Sequence, residues 1–517
     1  MRVFMLGWEF PPFIAGGLGT ACYGLTRAMA RAGHHIDFVL PLPVDGDTAS
    51  HVTLLTPKTL TDRLAALPPP APSKPTPAIA SQTRQAILAA IDEEQRAAAS
   101  RDGGEPGVPT SLQTSIAARE RMERAVLGSL AQARGQSQDF DASAYPTLGP
   151  ELVDPAQRTR ILDLLEQAEA GDAEATAELG RIGLPLASDP GLSDEPGEVP
   201  QLSVQHGNYG NDPIGDAYRY ATICAQLARG RDFDVIHAHD WLTYPAGIAV
   251  KAITGKPLVC HVHATEFDRS GEHVNNDVYG IERWGMHAAD RLIAVSMLTK
   301  GICERRYGAD GSKIDVVYNG VEHEPGEPGM DNAIEAKDKI VLFLGRITMQ
   351  KGPEYFIRAA KRVLEKVDDV KFVVAGSGDM AMRMIEHAAE LGIGHKVLFT
   401  GFLRGADVER VFKMADCFVM PSVSEPFGIA PLEAISHDTP VIISKQSGVA
   451  EVLTHALKVD FWDIDEMANK IVAVLRYSPL QRTLREHGTF ELKKLTWDRA
   501  SRKTVESYEA AIAGRSL

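Results

Sequence analysis

Two series of short apolar runs, most of them followed by a helical pattern, constrain this chain more than any other feature. The first series opens with Val3 to Leu6, continues through a helix from Gly16 to about Ala32 that Gly33 ends, and reaches a second strand at His35 to Leu40. It resumes with strands at Asp234 to Asp240, Leu258 to His263, Leu292 to Ser296 and Ile314 to Gly320. A second series begins at Lys339, with strands at Ile340 to Leu344, Phe372 to Ala375, Val397 to Thr400, Cys417 to Met420 and Val441 to Ser444. Strands that alternate with helices predict parallel, doubly wound sheets with right-handed crossovers. Because 517 residues are too many for one core, the two series read as two α/β domains. The boundary falls near 322–338, in a loop carrying Pro325, Gly326, Pro328 and Gly329. Trp497 to Ile512 reads as a last amphipathic helix.

Between about 57 and 200 the character changes. A proline-rich run, LPPPAPSKPTPAIA, precedes Ala-, Glu-, Gln- and Arg-rich segments with helical apolar stripes at Ile87 and Ile91, at Met122, Val126 and Leu130, and at Ile161, Leu164 and Leu165. This predicts a helical insertion. The net charge of −15 argues against a generally nucleic-acid-binding or anionic-membrane-binding surface, so an anionic ligand has to be met by local cations. Cys22, Cys224, Cys260, Cys303 and Cys417 are dispersed and odd in number, as expected of buried thiols in a reducing compartment. Val3 to Leu6 is too short for a signal-peptide core and no apolar stretch reaches membrane-spanning length, so a cytoplasmic protein without stable membrane insertion is expected.

The chemistry concentrates at strand ends. In Ser422 to Glu433, SVSEPFGIAPLE, two acids frame a Pro-Phe-Gly turn between a strand and a helix: Glu425 in the loop and Glu433 in the first two turns. Such a crevice holds ligands in open α/β sheets, and the helix start offers free N–H groups to an anion. On spacing alone Glu425 reads equally as a solvated loop acid. Arg346 and Lys351 flank the turn after the first strand of the second half and suit a diphosphate clamp, fixed cations that stabilise a leaving nucleoside diphosphate without a metal. Gly16, Gly17 and Leu18 open the first helix, where glycines let backbone amides approach a phosphate or simply permit a tight turn.

Three rival readings use parts of the same chain. Gly376-Ser377-Gly378-Asp379-Met380-Ala381 fits a dinucleotide fingerprint, but Thr400-Gly401-Phe402-Leu403 stands where the ribose-binding acid belongs. His237, His239, His261 and His263 form two H-x-H pairs that share a face with Asp240 nearby, a start on a hydrolytic metal site that lacks further ligands at later strand ends. No metal site is expected. A glycosidase would use both acids yet leave Arg346 and Lys351 without a task.

Taken together, GGLG, H-x-H, G-R-x-x-x-x-K-G and E-x7-E resemble retaining GT-B glycosyltransferases of glycosyltransferase family 4, especially the glycogen and starch synthase-like members. The resemblance implies an acceptor domain over 1–325 interrupted by the insertion, a donor domain over 335–490, both Rossmann-like and facing a cleft that closes on the donor, and a helix over 491–517 returning to the N-terminal half. It implies that amides at Gly16, Gly17 and Leu18 meet the donor diphosphate and that Arg346 and Lys351 neutralise it. Glu433 is implied to bind the nucleotide ribose, Glu425 to face the transferred sugar, and His263 to orient it. Phe427, Gly428, Ile429, Gly376 and Gly378 are implied to line the donor crevice. No cofactor is called for beyond a UDP- or ADP-hexose donor, and the partner expected is a glycan acceptor, an α-glucan before a lipid or small molecule. Three positions depart from the family pattern: Ile14, where ADP-glucose synthases carry lysine, Asp438 in place of glycine, and Ser447-Gly448 in place of a double glycine.

Overall fold

The computed structural model describes residues 1–11, 17–42, 51–65, 80–81, 84–85, 87–88, 155–172, 174–175, 179, 202–203, 212–321 and 338–514. Gly16, Ile14, the proline-rich run, most of the insertion and the inter-domain loop lie outside these residues. The two apolar series form two separate parallel sheets. In the N-terminal sheet β3 (Thr53–Leu55), β2 (His35–Val39), β1 (Arg2–Leu6), β4 (Val235–His239), β5 (Leu258–Val262), β6 (Arg291–Ala294) and β7 (Ile314–Val316) stand in that order. In the C-terminal sheet the order is β10 (Val397–Gly401), β9 (Val370–Ala375), β8 (Lys339–Leu344), β11 (Cys417–Met420), β12 (Val441–Ser444) and β13 (Leu457–Val459). Helices cover both faces, so central strands such as β4 and β5 are buried throughout. This is the GT-B arrangement of two Rossmann-like domains.

Winding reverses between β1 and β4 in one sheet and between β8 and β11 in the other. Ligands of doubly wound sheets bind where the winding reverses, at the carboxyl ends of the strands. The loops found there are Gly7 to Glu9 and Asp240 in the N-terminal half, and Gly345 to Lys351 and Ser422 to Glu425 in the C-terminal half.

The helix Trp497–Ala513 returns to the N-terminal domain. Trp497, Ala500, Tyr508 and Ala511 are buried in one cluster with Val3, Met5, Ala21, Leu25 and Val259, and Asp498 pairs with Arg31 at 2.9 Å. Gly24 permits this packing, since a Cβ there would lie 2.2 Å from the Trp497 ring. The chain leaves the N-terminal domain beside this return: the Val321 amide donates to the Leu495 carbonyl at 3.0 Å, and a Cβ on Gly320 would strike Trp497 backbone at 2.3 Å.

The helix Pro57–Ala65, at the start of the stretch read as an insertion, packs into the N-terminal domain: Leu60 joins its core and Arg63 donates to the Arg229 carbonyl at 2.9 Å. Farther on, Ile161 and Leu165 are buried on the helix Pro155–Glu169 and Leu164, the third residue of that stripe, is half-buried, while Ile91, Met122, Val126 and Leu130 lie outside the described residues. All five cysteines are buried free thiols. Among the described residues no helix is long and apolar enough to cross a membrane.

Candidate active site

Backbone packing shapes the C-terminal side of the cleft. A Cβ on Gly376 would lie 1.9 Å from the Gly345 carbonyl oxygen, one on Gly378 2.3 Å from that of Ile347, and one on Gly352 2.2 Å from that of Pro421. The turns after β8, β9 and β11 therefore touch main chain to main chain, and glycine is required for that contact. Gly345, Gly352, Gly376 and Gly428 also adopt left-handed backbone angles. Asp438, where the family favours glycine, has φ 58°, which explains the preference: a non-glycine residue sits there at some strain.

The turn after β8 presents Arg346 exposed, in loose contact with Gln350 at 3.5 Å. Lys351 is placed differently from a free clamp residue. Its Nζ lies 2.6 Å from Oε2 of Glu425, which also accepts from the Ser422 hydroxyl at 3.1 Å. The structure thus joins two residues whose roles read as separate from their motifs. The pair is sheltered, with the Glu425 side chain 8% and that of Lys351 23% exposed. In the same turn the Thr348 hydroxyl is buried without a hydrogen-bond partner.

Phe427 is buried against Tyr318, so of this residue only the backbone is available to a ligand. Ile429 packs against the apolar clusters of both halves. Glu433 lies on the helix Ala430–Ser436 among the buried residues Pro431, Leu432, Ala434 and Ile435. Its carboxyl has no hydrogen-bond partner among the described residues, and burial pushes it up to about 7.

Across the cleft Gly17 begins the helix Gly17–Arg31, and the space beside its Cα is open. Leu18 is half-buried against the core cluster. The Gly19 amide donates to buried Glu9 at 3.3 Å, so part of this helix start is already met by a carboxylate. His263 follows β5. Its amide donates to Oδ1 of Asp240 at 2.7 Å and its Nε2 lies 2.8 Å from Nδ1 of His239. Burial holds His263 down at about 3, so it is a neutral imidazole at physiological pH. Burial likewise raises Asp240 to about 6, against the pull of Arg269 and the two amides it accepts from.

A short helix, Glu266–Ser270, carries the N-terminal half to the C-terminal one. Its capping box is Thr265 with Asp268, and the other oxygen of Asp268 accepts from the Ser424 hydroxyl at 2.5 Å. Glu451 accepts from the amides of Met297 and Leu298 at 2.9 and 2.7 Å, and Thr299 donates to the Pro426 carbonyl at 3.3 Å. Ser422, Ser424, Asp240, Asp268 and Glu451 were not singled out as site residues. For Asp268 the signal was available, since Thr265-Glu266-Phe267-Asp268 has capping-box spacing ahead of a helix.

His237, His239 and His261 bring ring nitrogens within 4.8 Å of one another. Their rings are nearly parallel, with interplanar angles of 23°, 22° and 30°. His237 is already engaged through both ring nitrogens, Nε2 with His261 Nδ1 at 3.2 Å and Nδ1 with the Tyr508 hydroxyl. The three rings fit a stacked, hydrogen-bonded array better than a metal.

Comparison with known proteins agrees with this geometry. The family description Glycosyl transferases group 1 matches residues 330–489, Glycosyltransferase Family 4 matches 187–325, and Starch synthase catalytic domain matches 2–63. An uncharacterized glycosyltransferase of Methanocaldococcus jannaschii is 33% identical over 300 residues, covering 54% of this chain and 76% of that protein. A D-inositol 3-phosphate glycosyltransferase of Segniliparus rotundus is 28% identical over 303 residues, covering 55% and 67%. The fold is similar to that of sucrose-phosphate synthase from Thermosynechococcus elongatus, with a TM-score of 0.58, 16% identity and coverage of 99% and 100%. With two reversed-winding sheets facing one another, the acids and cations at their strand ends and these relatives, the chain belongs to the GT-B glycosyltransferases of family 4.

Proposed function

We propose that this glycosyltransferase moves a hexose, glucose in the first instance, from a nucleoside-diphosphate sugar to an α-glucan with retention of anomeric configuration. The observation that carries the reading is the 2.5 Å hydrogen bond from Ser424 to Asp268. It joins the residue before Glu425 to a helix that starts three residues after His263, which supports a site shared by His263 of one half and the Lys351–Glu425 pair of the other.

In this scheme Glu433 accepts from the ribose hydroxyls. Arg346 and Lys351, with amides of the Gly16-Gly17-Leu18 turn, take the diphosphate. The bond between the anomeric carbon and the phosphate oxygen breaks with its electrons going to the diphosphate, whose growing charge these cations stabilise. The acceptor hydroxyl bonds to the same carbon on the same face and gives its proton to the departing phosphate oxygen. Lys351 must be shared between Glu425 and the diphosphate, so donor entry loosens the ion pair and frees the Glu425 carboxylate to meet sugar hydroxyls. His263 holds the sugar from the opposite side. Phe427, Gly428, Ile429, Gly376 and Gly378 line the crevice. No cofactor takes part, and the protein is assigned to the cytoplasm.

The starch synthase-type match over 2–63 supports the α-glucan acceptor. A second reading, transfer to a small phosphorylated polyol, is favoured by the inositol-phosphate-using relative. The test is a metal-free panel of UDP- and ADP-hexoses with glycogen, maltooligosaccharide, D-inositol 3-phosphate or no acceptor, following nucleoside diphosphate release and acceptor mass together. Glycogen or oligosaccharide growth by one hexose supports the first reading, growth of the inositol phosphate supports the second, and no release from any donor refutes both.

A further inference from the structure

Four imidazoles form a two-by-two array behind the site. Along the strands His237 stacks on His239 and His261 on His263, each at 4.1 Å between ring centroids. Across the strands His237 Nε2 meets His261 Nδ1 at 3.2 Å, and His239 Nδ1 meets His263 Nε2 at 2.8 Å. The back corner is closed by Tyr508 of the returning helix, whose hydroxyl is hydrogen-bonded to His237 Nδ1. Three of the four rings are buried and only His263 is partly exposed.

The array is costly. His239 Nε2 and His261 Nε2 are buried without a hydrogen-bond partner, a penalty that apolar side chains of similar size would avoid. What the array does accomplish is to fix His263 from two directions: His239 takes its Nε2 while Asp240, held at φ 60°, takes its amide. The remaining ring nitrogen, Nδ1, is then the one left to face the cleft.

We propose that His239 is a positioning residue for the transfer reaction, holding His263 so that its Nδ1 faces the sugar. The inference rests on the reading that His263 touches the donor sugar. His239 touches no substrate; it acts by removing the rotational freedom of His263, and misplacement of a reacting contact by about 1 Å is enough to cost about 10²-fold in rate.

The experiment compares His239→Leu, which removes the contact, with His239→Asn, whose amide places a polar atom near the position of Nδ1, in the full chain. Initial rates are read with UDP-glucose and glycogen, and the His263 tautomer is read by two-bond proton–nitrogen NMR on histidine-labelled protein. The expected result for His239→Leu is a fall in kcat of about 30-fold or more with KM for UDP-glucose within about threefold, recovery to within about fivefold in His239→Asn, and no added loss in a His263→Ala background. In the spectra His263 is one tautomer in the wild type and in His239→Asn, and a mixture in His239→Leu. A wild-type rate for His239→Leu beside a crippled His263→Ala, or losses that simply multiply, overturns the proposal. If His263→Ala itself keeps the wild-type rate, or UDP-glucose is not turned over, the reading of the site falls, and an unchanged His263 tautomer in a folded His239→Leu overturns the positioning contact independently.

Discussion

Donor binding is expected to depend on pH through Glu433. Its carboxyl is held at about 7 by burial and has no cationic or hydrogen-bonding partner among the described residues. If ribose hydroxyls donate to it, the ionised form is the one that binds. About nine-tenths of the carboxyls are ionised at pH 8 and about one-tenth at pH 6, so the Kd of UDP or ADP should rise about tenfold between them, about 1.4 kcal/mol. The terminal phosphate of the nucleotide titrates in the same range. Glu433→Gln keeps that contribution while losing the carboxylate, so the two proteins compared by calorimetry in metal-free buffer isolate Glu433. The wild type should lose about tenfold more affinity than the variant between pH 8 and 6 and should bind more tightly at pH 8. The linkage has a second consequence. A carboxyl raised on folding favours the native state below its unfolded value, and that advantage is lost as pH rises through about 7. Glu433→Gln should therefore melt higher than wild type at pH 8 while binding nucleotide less well. A pH dependence of Kd that agrees within twofold between the two proteins would refute the argument.

Arg346→Ala and Lys351→Ala should each lower turnover by about 10² or more, read as nucleoside diphosphate release with saturating donor. Lys351→Ala also strands the Glu425 carboxylate, so it should cost about 2 kcal/mol in urea unfolding, discounted for the partly exposed lysine, and Lys351→Ala/Glu425→Ala should recover much of that loss. Glu425→Ala should abolish transfer while nucleotide binding by calorimetry stays within a few-fold of wild type; loss of nucleotide binding would reverse the assignment of the two acids. Gly24→Ala places a methyl 2.2 Å from the Trp497 ring and should destabilise the returning helix by about 1–3 kcal/mol, seen as earlier proteolysis at the C-terminus. Burial holds His237, His239, His261 and His263 below the ordinary histidine range, so unfolding takes up protons once pH drops below about 6.5. Asp240, Glu282 and Glu433, raised by burial to about 6, about 7 and about 7, release protons on unfolding and offset much of this, leaving a net uptake of about one proton near pH 5.5 and about 1.4 kcal/mol lost per pH unit. A urea midpoint that stays flat from pH 7 to 5 would contradict this.

The fold was legible where burial imposed a pattern. Strands covered on both faces are mostly apolar, so Leu292 to Ala294, Cys417 to Met420 and Val441 to Ile443 announce themselves, and their order with the intervening helices predicts parallel sheets. The edge strands Thr53–Leu55 and Leu457–Val459 escaped because three residues with one solvated flank carry no such run. The amphipathic stripe of the last helix was equally readable, but its destination was not a matter of periodicity. That depends on Gly24, a small residue in the middle of another helix, making room for Trp497.

The site divides in the same way. Residues whose chemistry is unusual for their place, such as acids and cations on turns between apolar strands, can be picked out from sequence because solvation alone does not explain their pattern. Residues that act by contact across distant segments cannot. Nothing in the spacing of Lys351 and Glu425 says that they form an ion pair, because that depends on how two βα turns are brought together by Gly352 packing on the Pro421 carbonyl. Nor can the sequence show that Asp268, one of many acids, reaches Ser424, since this depends on the meeting of two separately folded sheets. The two H-x-H pairs lie between these cases. Alternation along a strand placed their rings on one face, but only the parallel register His239↔His261 and the stacking it allows separate a hydrogen-bonded imidazole array from a metal site. Pairwise geometry between strands, a property of no single segment, decides the chemistry there.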